Sequence, residues 1–211
     1  MRPRSMTAFT FNFVVLLLVT VASVSTCVQA SPGWRQGGPP GAEVQAIALD
    51  PTDSNTVYLV SSGGVWKSTD AGLHWFAASK DLCAFNLTAI AIDPAQPSTL
   101  YVGGEEGFFR STDGGASWQI SGDHLKPSLI CSVAVDPRGL GIVYRGGYYG
   151  VFRSTDHGMT WADHNGGTNL PTVVQILIDP TDPDRILSGL LTTAFSGPQT
   201  GGPVGRRSTQ V

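Results

Sequence analysis

A chain of 211 residues has room for one domain, two at most, and 26 Gly with 14 Pro against only 14% charged residues describes a turn-rich folded protein rather than a disordered one. The formal charge of −3 becomes more negative once the basic start with Arg2 and Arg4 is set aside, which argues against a nucleic acid partner, since phosphate binding needs a basic face. Three Cys and four scattered His make no zinc-like spacing, so neither a metal nor a cofactor is expected.

Residues 1–30 read as an export signal. Arg2 and Arg4 give the positive start, the stretch from Ala8 to Val24 is mostly apolar, and Val28-Gln29-Ala30 offers small residues at the offsets for cleavage before Ser31. A membrane anchor and a lipid on Cys27 are the rival readings. Polar Asn12 and the cleavage-like end speak against the first, and Thr26 in place of a smaller residue speaks against the second. The expected location is therefore secreted, periplasmic or cell-surface, with membrane contact only through the export signal.

From residue 43 the chain alternates apolar and polar positions in short runs bounded by turn residues. Glu43 to Leu49, Thr56 to Ser61, Gly64 to Ser68 and His74 to Ala78 are predicted as four strands, separated by Asp50-Pro51-Thr52-Asp53, Gly63-Gly64 and the stretch Ser68 to Trp75. The same four return around Leu87 to Ile92, Leu100 to Val102, Phe108 to Ser111 and Trp118 to Ile120. They return again around Ile130 to Val135, Ile142 to Tyr144, Val151 to Ser154 and Thr160-Trp161. Asp50, Asp93, Asp136 and Asp179, each followed by Pro, mark a period of 43 residues. Four antiparallel strands in such a period is the blade of a β-propeller. A fourth repeat opens with Val173 to Pro180 and Ile186 to Ser188, then loses register, with Arg207-Ser208-Thr209-Gln210 resembling a remnant of the turn that should follow. The expected organisation is an export signal over 1–30, blades over 31–195 and a divergent, disordered tail over 196–211. Trp34 stands near the place of a lone fourth strand.

The turn before each fourth strand carries the strongest signal. Ser68, Asp70, Gly72 and Trp75 recur as Ser111, Asp113, Gly115 and Trp118, and as Ser154, Asp156, Gly158 and Trp161. Asp and Ser side chains can satisfy loop backbone groups, Gly takes a positive φ, and Trp can lie back over the hairpin. This S-x-D-x-G-x-x-W pattern resembles the Asp-box, or BNR repeat, of sialidase-like β-propellers. The resemblance covers roughly residues 43 to 190 and implies an all-β propeller in which the box residues are structural. Such propellers generally have six or more blades, so three full blades and a partial fourth suggest an incomplete propeller from a shortened gene product, or a four-bladed closure through the strand near Trp34. An open arc would expose apolar blade edges and favour self-association.

Antiparallel order places the Asp-Pro turns and the box turns on one face. The opposite face holds the variable loops, including Gly103-Gly104-Glu105-Glu106-Gly107 and Gly146-Gly147-Tyr148-Tyr149-Gly150, and variable loops on a rigid frame are where specificity resides. Two functions compete. One is a non-catalytic module binding glycan or protein, as in the photosystem II stability factors and sortilin-type receptors that share the resemblance. The alternative is a sialidase-like or xyloglucanase-like glycoside hydrolase, with Glu105 or Glu106 and Tyr148 or Tyr149 as its catalytic candidates. The sialidase Phe-Arg-Ile-Pro pattern is absent, no arginine triad stands on the inner strands, and no second carboxylate is evident at matching depth, so the binding module is the preferred reading. Lys67, Arg110 and Arg153 share one repeat position and are read as salt-bridged or solvated frame residues. Cys131 is read as a buried free thiol, with its pairing to Cys83 left open.

Overall fold

The computed structural model describes residues 37–39, 41–82, 84, 86–122 and 129–191, and the backbone of 208–210. All of them belong to the unit Gly37–Val211. The expected export signal, the strand near Trp34 and Cys83 lie outside the described residues.

Blade one comprises β1 (Val44–Leu49), β2 (Val57–Ser61), β3 (Gly64–Ser68) and β4 (Phe76–Ala77). Blade two comprises β5 (Leu87–Ile92), β6 (Leu100–Gly104), β7 (Gly107–Ser111) and β8 (Gln119–Ile120). Blade three comprises β9 (Ile130–Val135), β10 (Val143–Gly147), β11 (Gly150–Ser154) and β12 (Ala162–Asp163). Each is an antiparallel sheet in chain order, and the described residues contain no helix. The fourth sheet holds β13 (Thr172–Ile178), β14 (Ile186–Leu191) and β15 (Ser208–Gln210). Among the described residues the sheets do not pair into a closed ring, and the fold is all-β, a row of antiparallel β-propeller blades.

Two expectations change in register. The fourth strands begin directly after each Trp, one or two residues later than expected, because the indole N–H of Trp75 donates to Gly72 O and that of Trp161 to Gly158 O, which ties both residues into the turn. Ser208 pairs with Gly189, as Val151 pairs with Gly146, so β15 supplies the third strand of blade four and Ser208 sits three residues ahead of the box serine position. The resemblance of Arg207 to Gln210 to a box opening is therefore one of composition, not of register. The tail expected over 196–211 otherwise lies outside the described residues.

The repeat extends to its irregularities. Every first strand shifts register at one place, between Val44 and Ala46, Leu87 and Ala89, Ile130 and Ser132, and Val173 and Gln175. An extra residue at this point bends the strand and strengthens its twist. Cys131 is the bulge residue of blade three; it is free and half-buried, and burial pushes its thiol pKa up.

Second and third strands alternate their side chains between the two blade interfaces, and that alternation builds the core. Tyr58, Val60, Leu87, Leu100 and Val102 fill the space between blades one and two. Tyr101, Phe108, Ile130 and Val143 fill the next interface, and Tyr144, Val151, Val173 and Ile186 the third. Burying a side chain of this size stabilises by about 1.5 to 3 kcal/mol, so the interfaces rather than the isolated sheets carry the fold. Small residues set the spacing. A Cβ on Gly146 would come within 2.5 Å of Val173 Cγ1 in the next blade, so a larger residue here would push blades three and four apart. On the first strands of blades one and four, Ile47 and Leu49 in the one and Leu177 in the other are exposed.

Candidate functional site

The three octapeptide turns share one construction. Ser68 Oγ donates to Asp70 Oδ1 at 2.8 Å and accepts from Gly72 N at 2.9 Å, while the second role of Asp70 Oδ1 is to accept from His74 N at 2.8 Å. Ser111, Asp113, Gly115 and Ser117 repeat the arrangement, as do Ser154, Asp156, Gly158 and Thr160. The second carboxylate oxygen takes a side chain, Ser117 Oγ or Thr160 Oγ1 at 2.6 Å, or His74 Nδ1 at 2.6 Å. Hydrogen bonds from His74 and Ser68 hold the Asp70 pKa down at about 2, and those from Ser117 and Ser111 do the same for Asp113. Burial works against the shift at Asp156, where the Thr160 and Ser154 hydrogen bonds still bring it to about 2. Both oxygens of each carboxylate thus accept hydrogen bonds from the residues of its own loop.

These turns pack on the first turn of the same blade, through Ala71 N to Asn55 O, Gly114 N to Ser98 O and His157 N to Gly141 O. The first turns are themselves closed by Asp50, Asp93, Asp136 and Asp179, each accepting the N–H two residues on. Arg138 clamps Asp136 and reaches Asp184 of blade four at 2.9 Å. Lys67, Arg110 and Arg153 make no ion pair among the described residues. Lys67 and Arg153 instead lie over the rings of their cross-strand partners Tyr58 and Tyr144, at 5.2 and 5.9 Å from the centroids. For Lys67 and Arg153 the salt-bridged alternative gives way to cation–π pairing, which the shared register of the Tyr and basic columns brings about.

The opposite face carries a cavity of about 710 Å³ between blades two and three. Glu106 from the β6–β7 turn and Tyr148 and Tyr149 from the β10–β11 turn all border it, so three of the four sequence candidates meet around one space. Glu105 is turned elsewhere and accepts from Asn86 Nδ2 at 3.1 Å. The two tyrosines are 60% and 59% exposed, large rings offered to solvent at the mouth. Phe108, Ile120 and Phe152 form an apolar wall. Asn165 organises the rim: its Oδ1 accepts from Val151 N at 2.7 Å and its Nδ2 donates to Tyr149 O at 3.0 Å, pinning the β10–β11 hairpin.

Of three further bordering residues, Asp163 and Arg145 were not singled out by sequence reasoning, while Asn165 was expected on this face only as part of the His164-Asn165 connection between blades. Asp163 supplies the second carboxylate that the sequence did not reveal, although its Oδ1 and Oδ2 accept from Asn165 N and Nδ2, both at 2.8 Å. Asn165 stands where Ser79 stands two periods earlier, a position that in both blades bonds the third strand. Arg145 is the third. It lies on β10 in the column that holds Leu59 and Val102 in the first two blades, and it was legible as the one charged residue in that column. Its guanidinium is 4.6 Å from the Trp161 ring centroid, 5.1 Å from Phe152 and 6.0 Å from Phe108. Among the described residues no group of three His, Cys, Asp or Glu side chains could hold a metal, and no helix is long and apolar enough to cross a membrane.

No family model and no curated protein matches the chain. Solved structures do resemble it. An ancestral GH74 enzyme superimposes with a TM-score of 0.62 at 22% identity over 74% of this chain and 23% of its own. The GH74 enzyme of Niastella koreensis gives 0.61 at 24% identity over 80% and 28%. YCF48 bound to a D1 peptide gives 0.58 at 17% identity over 78% and 52%. The chain thus spans about a quarter to a half of these proteins, and at such identities the likeness shows the β-propeller fold.

Proposed function

We propose that the chain is an exported, non-catalytic β-propeller module of the Asp-box type that binds glycan or protein ligands through the loop-bearing face. The observation that carries this reading is the cavity between blades two and three, bordered by the exposed rings of Tyr148 and Tyr149 and an apolar wall. Exposed aromatic rings beside a concave apolar surface are a recognition surface for sugar rings and for peptide side chains alike. The turns with the saturated aspartates belong to the other face and serve as frame. The YCF48 neighbour, solved with a D1 peptide, supports a binding role for this architecture. Association of the exposed blade edges at Ile47, Leu49 and Leu177 with other copies is part of the same reading.

A second reading, a glycoside hydrolase, is favoured by one observation: Glu106 and Asp163 border the same cavity, and two carboxyl groups around one space are what glycoside hydrolysis requires. Two of the neighbours are named as GH74 enzymes. Against it, both oxygens of Asp163 are engaged by Asn165, which suits a rim-shaping role better than attack or proton transfer. The test is turnover of aryl sialosides and of β-glucan oligosaccharides by the 211-residue chain. No product is expected. Hydrolysis that disappears in Glu106→Gln or Asp163→Asn, with the circular dichroism spectrum unchanged, would promote the enzyme.

A further inference from the structure

Arg145 is 5% exposed, and its Nε has no hydrogen-bond partner. Among the described residues no carboxylate lies within ion-pair distance of it. Around it stand the aromatic rings of Trp161, Phe152 and Phe108, all within 6.0 Å. An arginine in such surroundings is costly. Removing a cation from water without a paired anion is among the most unfavourable changes a core can carry, and ring faces offset only part of it. The first two blades avoid the cost with Leu59 and Val102 in the same column, both buried. Burial lowers the Arg145 pKa to about 10, so the group still carries its charge at neutral pH. The side chain also borders the cavity, with Nε itself buried behind that wall. Unpaired buried charges of this kind persist where a ligand completes them.

Resting on the binding role proposed above for the loop-bearing face, we infer that this cavity is a carboxylate-binding site: the Arg145 guanidinium takes the carboxylate of a small organic acid, and Phe108, Phe152 and Ile120 take its ring or alkyl body. Guanidinium and carboxylate match as a planar two-pronged pair, and the pairing is strongest where water is displaced. A volume of about 710 Å³ accommodates a ligand of one or two rings. Glu106 and Asp163, the other charged groups on the border, disfavour a doubly charged anion and so favour a monocarboxylate over a phosphate. Asp163 faces Asn165, its partner in two hydrogen bonds.

The experiment is calorimetric titration of the full chain with matched acid and neutral pairs, run on wild type, Arg145→Met and Arg145→Lys. Phenylacetate against 2-phenylethanol probes an aryl acid, and galacturonate against galactose probes an acidic sugar. At least one acid is expected to bind wild type tenfold or more tightly than its neutral partner, the preference vanishing in Arg145→Met and surviving in part in Arg145→Lys. The same acid should raise the melting temperature of wild type and leave that of Arg145→Met unmoved. Without ligand, Arg145→Met should melt higher than wild type, since the unpaired cation is gone. Equal binding of acid and neutral partner overturns the carboxylate site while leaving the loop face a binding surface. Binding of no acid, or an acid preference that persists in Arg145→Met, also overturns it. Loss of acid binding together with loss of every ligand captured through Tyr148 and Tyr149 would sink both readings.

Discussion

The indole N–H of Trp118 donates to the carbonyl of Ala78 at 2.7 Å, joining the turn of blade two to the residue that follows β4 of blade one. Trp161 reaches back in the same direction, its ring meeting Phe108 edge-on with centroids 4.8 Å apart. Trp75 is half-buried, and its N–H closes only its own turn, on Gly72 O. One repeated residue therefore does two jobs, sealing its own turn and locking its blade to the one before. Trp118→Phe should destabilise by about 1 to 3 kcal/mol, the cost of an unpaired buried carbonyl with a small cavity. Trp75→Phe should cost clearly less. Denaturant midpoints of the two variants compare them, and equal losses would mean that the inter-blade bond carries nothing.

Acid should loosen the fold in a defined window. Folded-state pKa values of about 2 for Asp70, Asp113 and Asp156 lie below the ordinary value of 3.8, so the folded form holds fewer protons than the unfolded one at intermediate pH. The stabilisation is complete above about pH 4 to 5 and drains away as pH falls towards 2. Asp113→Asn should melt lower at pH 7, by an amount on the order of 1 kcal/mol from weakening charge-assisted bonds to Ser117. It should also show a shallower decline between pH 4 and pH 2. Parallel melting curves against pH for the variant and wild type would contradict the assignment.

Two glycines separate backbone strain from packing. Gly158 has φ +83 and Gly166 φ +63, so an alanine is strained at either. Around Gly166 nothing lies within 4 Å of the added Cβ, whereas at Gly158 it meets Tyr101 at 3.2 Å and Phe108 at 3.4 Å. Gly166→Ala should cost about 1 kcal/mol and Gly158→Ala about 1 to 3 kcal/mol more, because the blade interface must give way. Chemical denaturation of both variants provides the comparison.

The frame was readable in the sequence because every element of it repeats. Asp50, Asp93, Asp136 and Asp179 close the same turn, and the serine and aspartate of each octapeptide make the same bonds, so a local pattern met once could be checked three times. The site was readable only in part, for the opposite reason. Glu106, Tyr148 and Tyr149 were found because they sit in turns where side chains vary and only topology decides the face. Glu105 is their neighbour in sequence but bonds to Asn86, which no pattern could show, since one step along a two-residue turn reverses the direction of a side chain. Asp163 escaped notice because it follows a Trp whose indole belongs to the turn, which displaced the predicted fourth strand by a residue or two. Arg145 could have been found by reading columns instead of rows: Leu59, Val102 and Arg145 share a place, and a lone charge in an apolar column departs from what packing asks.

The central claim, that ligands are held on the loop-bearing face without being cleaved, is tested most directly by passing β-glucan and uronate-bearing oligosaccharides over the immobilised chain and measuring retention and released reducing ends together. The Tyr148→Ala, Tyr149→Ala double variant is the comparison, with Leu73→Ala, an exposed residue of the octapeptide turn, as control. The account predicts retention by wild type and by Leu73→Ala, at least a tenfold loss in the double variant at an unchanged melting temperature, and no reducing ends from any of them. Retention that the double variant keeps and Leu73→Ala loses, or steady release of reducing ends by wild type, would contradict it.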